Sequence, residues 1–231
     1  MTSTSNTEHS FLQFALDAGV LRFGEFTLKS GRVSPYFFNA GLFNSGAALS
    51  TLASFYAAAL HQAEPTSFML YGPAYKGIPL AAATATALAN EYTRDIPFAF
   101  NRKEVKDHGE GGQLVGAPLK GNVVIIDDVI TAGTSIRESV ELIHNAGATP
   151  TAVVIALDRE ETITEDGDSA VDVVTRELGL RVHTLAQFST LLEFLPTRPG
   201  LNKYLDALRA YQARYGKKEL AGLDSRCWPI T

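Results

Sequence analysis

Short apolar runs alternate with amphipathic segments along most of this chain. "SFMLYG" (67–72), "IPFAF" (96–100), "NVVIID" (122–127) and "TAVVIAL" (151–157) are continuous apolar stretches of strand length, bounded by turn residues. Between them, residues 78–91 read as a helix. Residues 135–146 read as an amphipathic one, with Ile136, Val140 and Ile143 on one stripe and Gly147 suited to its stop. Residues 46–61 are rich in alanine and leucine, hence helical, and 169–178 also have a helical pattern. "RVHTL" (181–185) is a short strand, and two helices close the chain. At the other end, Ser10 and Gln13 have capping-box spacing, with Phe11, Phe14 and Ala18 on one face and Gly19 at the stop. A helix is therefore expected from Ser10, behind a frayed tail over residues 1–9. Residues 21–43 alternate strand-like and turn-like pieces around a "KSGR" hairpin turn.

Strands alternating with helices imply an α/β domain, a central parallel sheet with helices on both faces. In such sheets ligands bind at the carboxyl ends of the strands, near a topological switch point. The segments that follow the four apolar strands are "GPAYKG", "NRKEVKDHGEGG", "DDVITAGTS" and "DRE", and they are expected to share one crevice.

Composition narrows the classes. The chain has 231 residues, 45% hydrophobic and 19% charged, enough for a core without disulfides or a structural metal. A net charge of −5 argues against a broad nucleic-acid or membrane-surface footprint. One cysteine, Cys227, forms no internal bridge, and no Cys/His cluster has zinc spacing. The first ten residues lack the basic and apolar regions of a secretory signal, and the longest apolar stretch, "GIPLAAATATALA", is too short to span a bilayer. The expected location is the cytoplasm.

"DDVITAGTS" carries the most chemistry. Its end, Thr131 to Ser135, runs into a helix N-terminus, where unpaired N–H groups and the helix dipole favour phosphate. Gly133 permits close approach, and Thr131, Thr134 and Ser135 add hydroxyl donors. Taken alone, this is a helix cap with a tight turn. The preceding Asp127 and Asp128 would repel a bare phosphate and suit sugar hydroxyls or a metal ion instead, and the two ends together describe a ribose 5-phosphate. A P-loop, a complete dinucleotide fingerprint and a His-Glu-x-x-His motif are all missing. In "NRKEVKDHGEGG", Arg102, Lys103, Lys106 and His108 fall close together before Gly109, Gly111 and Gly112. A solvated loop is the plain reading of such a charge run. A long glycine-hinged loop whose cations close over a diphosphate, stabilising it and excluding water, is the functional one.

The strand followed by "DDVITAGTS" closely resembles the phosphoribosyl diphosphate motif of type I phosphoribosyltransferases. The 101–113 loop, with "FTLKSGRVSPYFFNAG" (26–41) and "GPAYKGIPLA" (72–81), resembles the orotate phosphoribosyltransferase family over nearly the whole chain. The resemblance implies a single domain over 1–231 with a small hood built from 21–43 and 181–195, and a mobile catalytic loop over 101–113. It implies that Asp127 and Asp128 bind the ribose hydroxyls and that Val129, Ile130, Thr131, Ala132, Gly133, Thr134 and Ser135 bind the 5-phosphate. Lys29, Tyr75, Lys76, Arg102, Lys103, Lys106 and His108 would contact phosphoribosyl diphosphate, and Phe37, Phe38, Thr131 and Arg159 would contact orotate. The implied catalytic set is Lys29, Lys106, His108, Asp127 and Asp128. It also implies Mg2+ held mainly through substrate oxygens and water, and a homodimer whose 101–113 loop reaches the neighbouring subunit's site. Without the resemblance, Arg159 would be a surface arginine among Asp158, Glu160 and Glu161, and "DREETITEDGDS" a solvated acidic loop. A transferase for another base and a non-catalytic regulator that binds the sugar diphosphate are the alternatives.

Overall fold

The computed structural model describes residues 2–28, 31–106, 112–164 and 167–217, with the side chains of 2–5, 104–106 and 112 excepted. Its centre is a six-stranded sheet in the order β5-β4-β3-β6-β7-β8. The strands are β3 (Met69–Gly72), β4 (Phe98–Lys106), β5 (Gly112–Gly116), β6 (Asn122–Ile126), β7 (Thr149–Asp158) and β8 (Arg181–Gln187). All neighbours are parallel except β4 and β5, which pair antiparallel at the edge.

Both faces of the sheet are covered, which is why its strands read as unbroken apolar runs. Side chains alternate between the faces with period two. Leu70, Val124, Ile126, Val154 and Ala156 share one core with Phe11, Leu12, Leu52, Tyr56, Leu60, Leu88 and Leu191, from the helices α1 (Thr2–Asp17), α2 (Gly46–Ala63), α3 (Gly77–Tyr92) and α6 (Phe188–Phe194). Met69, Tyr71, Val123, Ile125, Val153 and Ile155 face the other, with Ile136, Val140 and Ile143 of α4 (Thr134–Asn145) and Val174 of α5 (Ala170–Leu178). Each fully buried aliphatic side chain contributes roughly 1.5–3 kcal/mol.

A second, two-stranded antiparallel sheet joins β1 (Leu21–Thr27) and β2 (Val33–Phe38). It forms the expected hairpin, closed by the Leu28 N–H to the Arg32 carbonyl at 2.8 Å. The last helix, α7 (Leu205–Tyr215), packs on β2.

Four expectations are corrected. The first helix starts at Thr2, so 2–9 are helical; Ser10 lies mid-helix, donating to the Asn6 carbonyl at 2.8 Å, and Gln13 bonds Asp17 instead of forming a capping box. Residues 181–187 lie in the main sheet instead of a hood: β8 is its sixth strand, parallel to β7, and α7 is the element that packs on the hairpin. The 101–113 segment is not all loop, because β4 runs on to Lys106 and β5 begins at Gly112, with those two residues paired. Beyond Phe100, β4 no longer pairs with β3 and has only β5 beside it, so this outer half of the strand tolerates charges that pattern reading assigns to a loop. The acidic segment is not simply solvated either, since Asp158 is buried and Glu161 nearly so.

Candidate active site

The switch point lies between β3 and β6, because the chain builds outward from β3 to β4 and β5 and then returns to the opposite side of β3. The two segments that leave these strands meet there. Asp127 and Asp128 follow β6 directly. The Asp127 N–H donates to the Val154 carbonyl at 3.1 Å, and the Asp128 carbonyl accepts from the Ala156 N–H at 2.9 Å, so the pair continues the ladder with β7. Tyr56 of α2 donates its hydroxyl to the Asp127 carbonyl at 2.9 Å.

The two carboxylates are held differently. Asp127 accepts from the Asp128 N–H at 2.9 Å through Oδ1, and Ser135 Oγ lies 3.5 Å from its Oδ2. Asp128 is buried, and its Oδ2 sits 2.5 Å from Lys76 Nζ in the turn after β3. Burial, and then the neighbouring Asp128 charge, push the Asp127 carboxyl up to about 7.

Beyond the pair, Val129 packs against the first core and Ile130 is buried in the second, while Thr131 and Ala132 are exposed. Gly133, at φ +74°, is the N-cap of α4, and no side chain caps this helix. The first N–H groups of α4 are therefore presented beside the exposed Thr134 and Ser135 hydroxyls. Arg137 braces the turn: Nη1 donates to the Ala132 carbonyl at 3.0 Å, and Nη2 pairs with Glu177 at 2.7 Å.

On the β3 side, strand and helix approach so closely that a Cβ on Gly72 would lie 2.1 Å from the Gly77 carbonyl oxygen. The turn between them exposes Tyr75 (66%) and Lys76. Asn101 of β4 fixes that turn by accepting from the Ala74 N–H at 2.8 Å. Lys103 Nζ stands 4.9 Å from the centre of the Tyr75 ring, so the base of the β4–β5 hairpin reaches this turn within one chain. Arg102 is half-buried on the same strand. Lys106 closes β4, but its side chain, Lys29 and His108 lie outside the described residues. A cavity of about 850 Å³ borders the site through Pro73, Ala74 and Ser135, on the α4 side of the sheet.

Arg159 follows β7, as expected, but it is not a free surface arginine. Its Nε and Nη2 lie 2.9 and 2.7 Å from Glu161 Oε1, and Nε also approaches the Tyr36 hydroxyl at 3.2 Å. Phe37 and Phe38 point to different surroundings, as adjacent strand residues must. Phe37 stacks on Phe26 at 5.5 Å beneath Arg22, and Phe38 lies 6.4 Å from Phe11. The hairpin residue that reaches Arg159 is their neighbour Tyr36. Sequence reasoning missed Tyr36, Tyr56, Asn101 and Glu161. Tyr36 and Glu161 are 125 positions apart, and no local pattern joins them. Asn101 opens "NRKEVKDHGEGG", where the charge run next to it carries the stronger local signal.

Among the described residues, no three side chains of His, Cys, Asp or Glu gather as a metal cage. Among the described residues no helix is long and apolar enough to cross a membrane.

Comparisons with known proteins agree with this layout. The family model for the phosphoribosyl transferase domain matches residues 44–189. The orotate phosphoribosyltransferase of Thioalkalivibrio sulfidiphilus is 59% identical over 209 residues, 90% of this chain and 98% of the relative. That of Bordetella pertussis is 56% identical over 223 residues, 94% of this chain and 100% of the relative. Among solved structures, the orotate phosphoribosyltransferase of Francisella tularensis superposes with a TM-score of 0.82 at 42% identity, covering 90% of this chain and 100% of that one.

Proposed function

This chain belongs to the phosphoribosyltransferases and, within them, to the orotate phosphoribosyltransferases, and from that premise we propose how its residues divide the work. The enzyme transfers ribose 5-phosphate from 5-phosphoribosyl 1-diphosphate to orotate, giving orotidine 5′-monophosphate and diphosphate, a step of UMP biosynthesis. The observation that carries this reading is the acid pair at the switch point, half-buried Asp127 and buried Asp128, leading into an uncapped helix N-terminus.

Asp127 and Asp128 accept hydrogen bonds from the ribose hydroxyls, and residues 129–135 hold the 5-phosphate on the α4 N-terminus. Tyr75 and Lys76 lie along the diphosphate. Lys29, Arg102, Lys103, Lys106 and His108 gather cations around it. Phe37, Phe38, Thr131 and Arg159 take orotate, with Arg159 facing the carboxylate. Ring N1 of orotate attacks C1 of the ribose with inversion as the bond to diphosphate breaks. Positive charge develops on the sugar, as in glycoside chemistry. No covalent intermediate is needed. The side chains contribute alignment and fixed charge, so the leaving diphosphate is stabilised without reorganisation of water.

Magnesium fits this donor set, two carboxylates with no third metal-binding side chain grouped beside them among the described residues. Asp127 and Asp128 would hold it through water and substrate oxygens, and it would offset part of the diphosphate charge. The working unit is a homodimer in which the 101–113 segment serves the neighbouring subunit's site, and its place is the cytoplasm. The test is the loss of orotate absorbance on adding phosphoribosyl diphosphate and magnesium to the purified protein. Turnover with uracil but not orotate, or no turnover at all, would sink the assignment.

A further inference from the structure

We propose that Glu161 is a positioning residue that sets the enzyme's preference for a carboxylate-bearing base, by holding Arg159 along one edge and leaving its other edge for substrate. The inference rests on Arg159 being the orotate contact and says how that contact is made selective.

A guanidinium offers five N–H groups in a planar fork. In this structure Nε and Nη2, the two nitrogens of one edge, both converge on Glu161 Oε1, at 2.9 and 2.7 Å. Nη1 has no hydrogen bond among the described residues, and the Arg159 side chain keeps 24% of its surface exposed. The end formed by Nη1 and the second Nη2 hydrogen therefore remains available for two parallel bonds to a carboxylate. Orotate bears one and uracil does not.

Glu161 can hold this arginine because Glu161 is itself held. Its Oε1 also accepts from the Tyr211 hydroxyl at 3.0 Å and the Tyr36 hydroxyl at 3.4 Å, and its Oε2 lies 3.5 Å from Arg32 Nη1. Burial pushes the Tyr36 and Tyr211 phenols upward, so both remain donors. The backbone is pinned too. Asp158 Oδ1 accepts from the Glu160 N–H at 2.9 Å, forming the turn that brings residues 159 and 161 together. Glu161 bridges Gly216, and the Thr162 N–H donates to the Tyr215 carbonyl at 2.8 Å. The hairpin, the turn after β7 and α7 thus meet on one carboxylate.

The experiment is steady-state kinetics with the full chain and its Glu161→Ala, Glu161→Gln and Arg159→Ala variants, varying orotate and phosphoribosyl diphosphate separately and adding uracil as a competing acceptor. For Glu161→Ala, KM for orotate should rise roughly tenfold or more while KM for the diphosphate donor stays within about twofold, and the orotate-to-uracil preference should fall in step. Glu161→Gln keeps an acceptor oxygen and should recover part of that loss. If Glu161→Ala does not fold, Glu161→Gln carries the test, with a smaller rise confined to orotate. An orotate KM that stays or falls, or donor and acceptor KM values that rise together, overturns the proposal. Arg159→Ala separates the two claims: an unchanged orotate KM there refutes the Arg159 assignment itself. A raised one with Glu161→Gln and Glu161→Ala both silent refutes only the role of Glu161.

Discussion

Lys76 Nζ stands 2.5 Å from Asp128 Oδ2 and joins the turn after β3 to the end of β6 across the switch point. In the proposed reaction these groups serve different parts of one substrate, the lysine its diphosphate and the aspartate its ribose. Donor binding must therefore exchange this ion pair for two contacts with the ligand. Lys76→Ala is expected to raise KM for phosphoribosyl diphosphate roughly tenfold or more, the worth of a charge-assisted hydrogen bond. The melting temperature should hardly change, because the Lys76 side chain is 57% exposed and screened by solvent. A lowered melting temperature with an unaltered KM would make Lys76 a structural brace instead.

Asp127 gives a pH prediction. Its carboxyl is pushed from 3.8 up to about 7, by burial first and by Asp128 second. Between those values the folded chain binds a proton that the unfolded chain releases, so this group makes stability fall as pH rises through that window and then level off. Thermal unfolding of the wild type at about pH 5 and about pH 8 should show this fall. Asp127→Asn should show less of it. An equal fall in both proteins would assign the effect to other groups.

In the proposed reaction the cations of the 101–113 segment act on the chemical step. Lys106→Ala is predicted to lower kcat on the order of a hundredfold with folding intact, as loss of a preorganised charge at a leaving group does. Mixing it with an Asp128→Ala variant tests the shared site. Recovered activity in mixed dimers supports a lid that serves the neighbour, and none supports sites that are complete within each chain.

Gly72 tests the scaffold beneath the chemistry. A Cβ there would meet the Gly77 carbonyl oxygen at 2.1 Å, with backbone on both sides of the clash. Gly72→Ala should cost about 1–3 kcal/mol in unfolding free energy, or more, as overpacking does. Denaturant unfolding measures it, and a neutral result would mean that the β3–α3 junction can open.

The sequence was most legible where one local rule acted alone. The apolar strands 122–127 and 151–157 could be read because both faces of a parallel sheet are buried, and the turn into α4 because Gly133 opens a helix behind an acid pair. Reading failed where the decisive neighbour was distant. Thr2 to His9 form helix despite a Ser/Thr-rich start that suggested fraying. Arg102 and Lys103 look like loop residues, but they occupy a strand whose outer partner is only β5. Residues 181–187 join the main sheet because β7 pairs with them, a choice that no periodicity reveals. Arg159 could be placed at the sheet edge from its position after a strand. Its restraint by Tyr36 and Glu161 depends on a hairpin more than a hundred residues away.

The brace from Arg137 to the Ala132 carbonyl ties the turn before α4 to the first turn of its own helix. In the proposed reaction, a cradle formed this way meets the same ribose and 5-phosphate on the donor and on the nucleotide that the donor becomes. Orotidine 5′-monophosphate should then inhibit by competing with phosphoribosyl diphosphate more than with orotate, so that the accumulation of product limits how fast the next donor can enter.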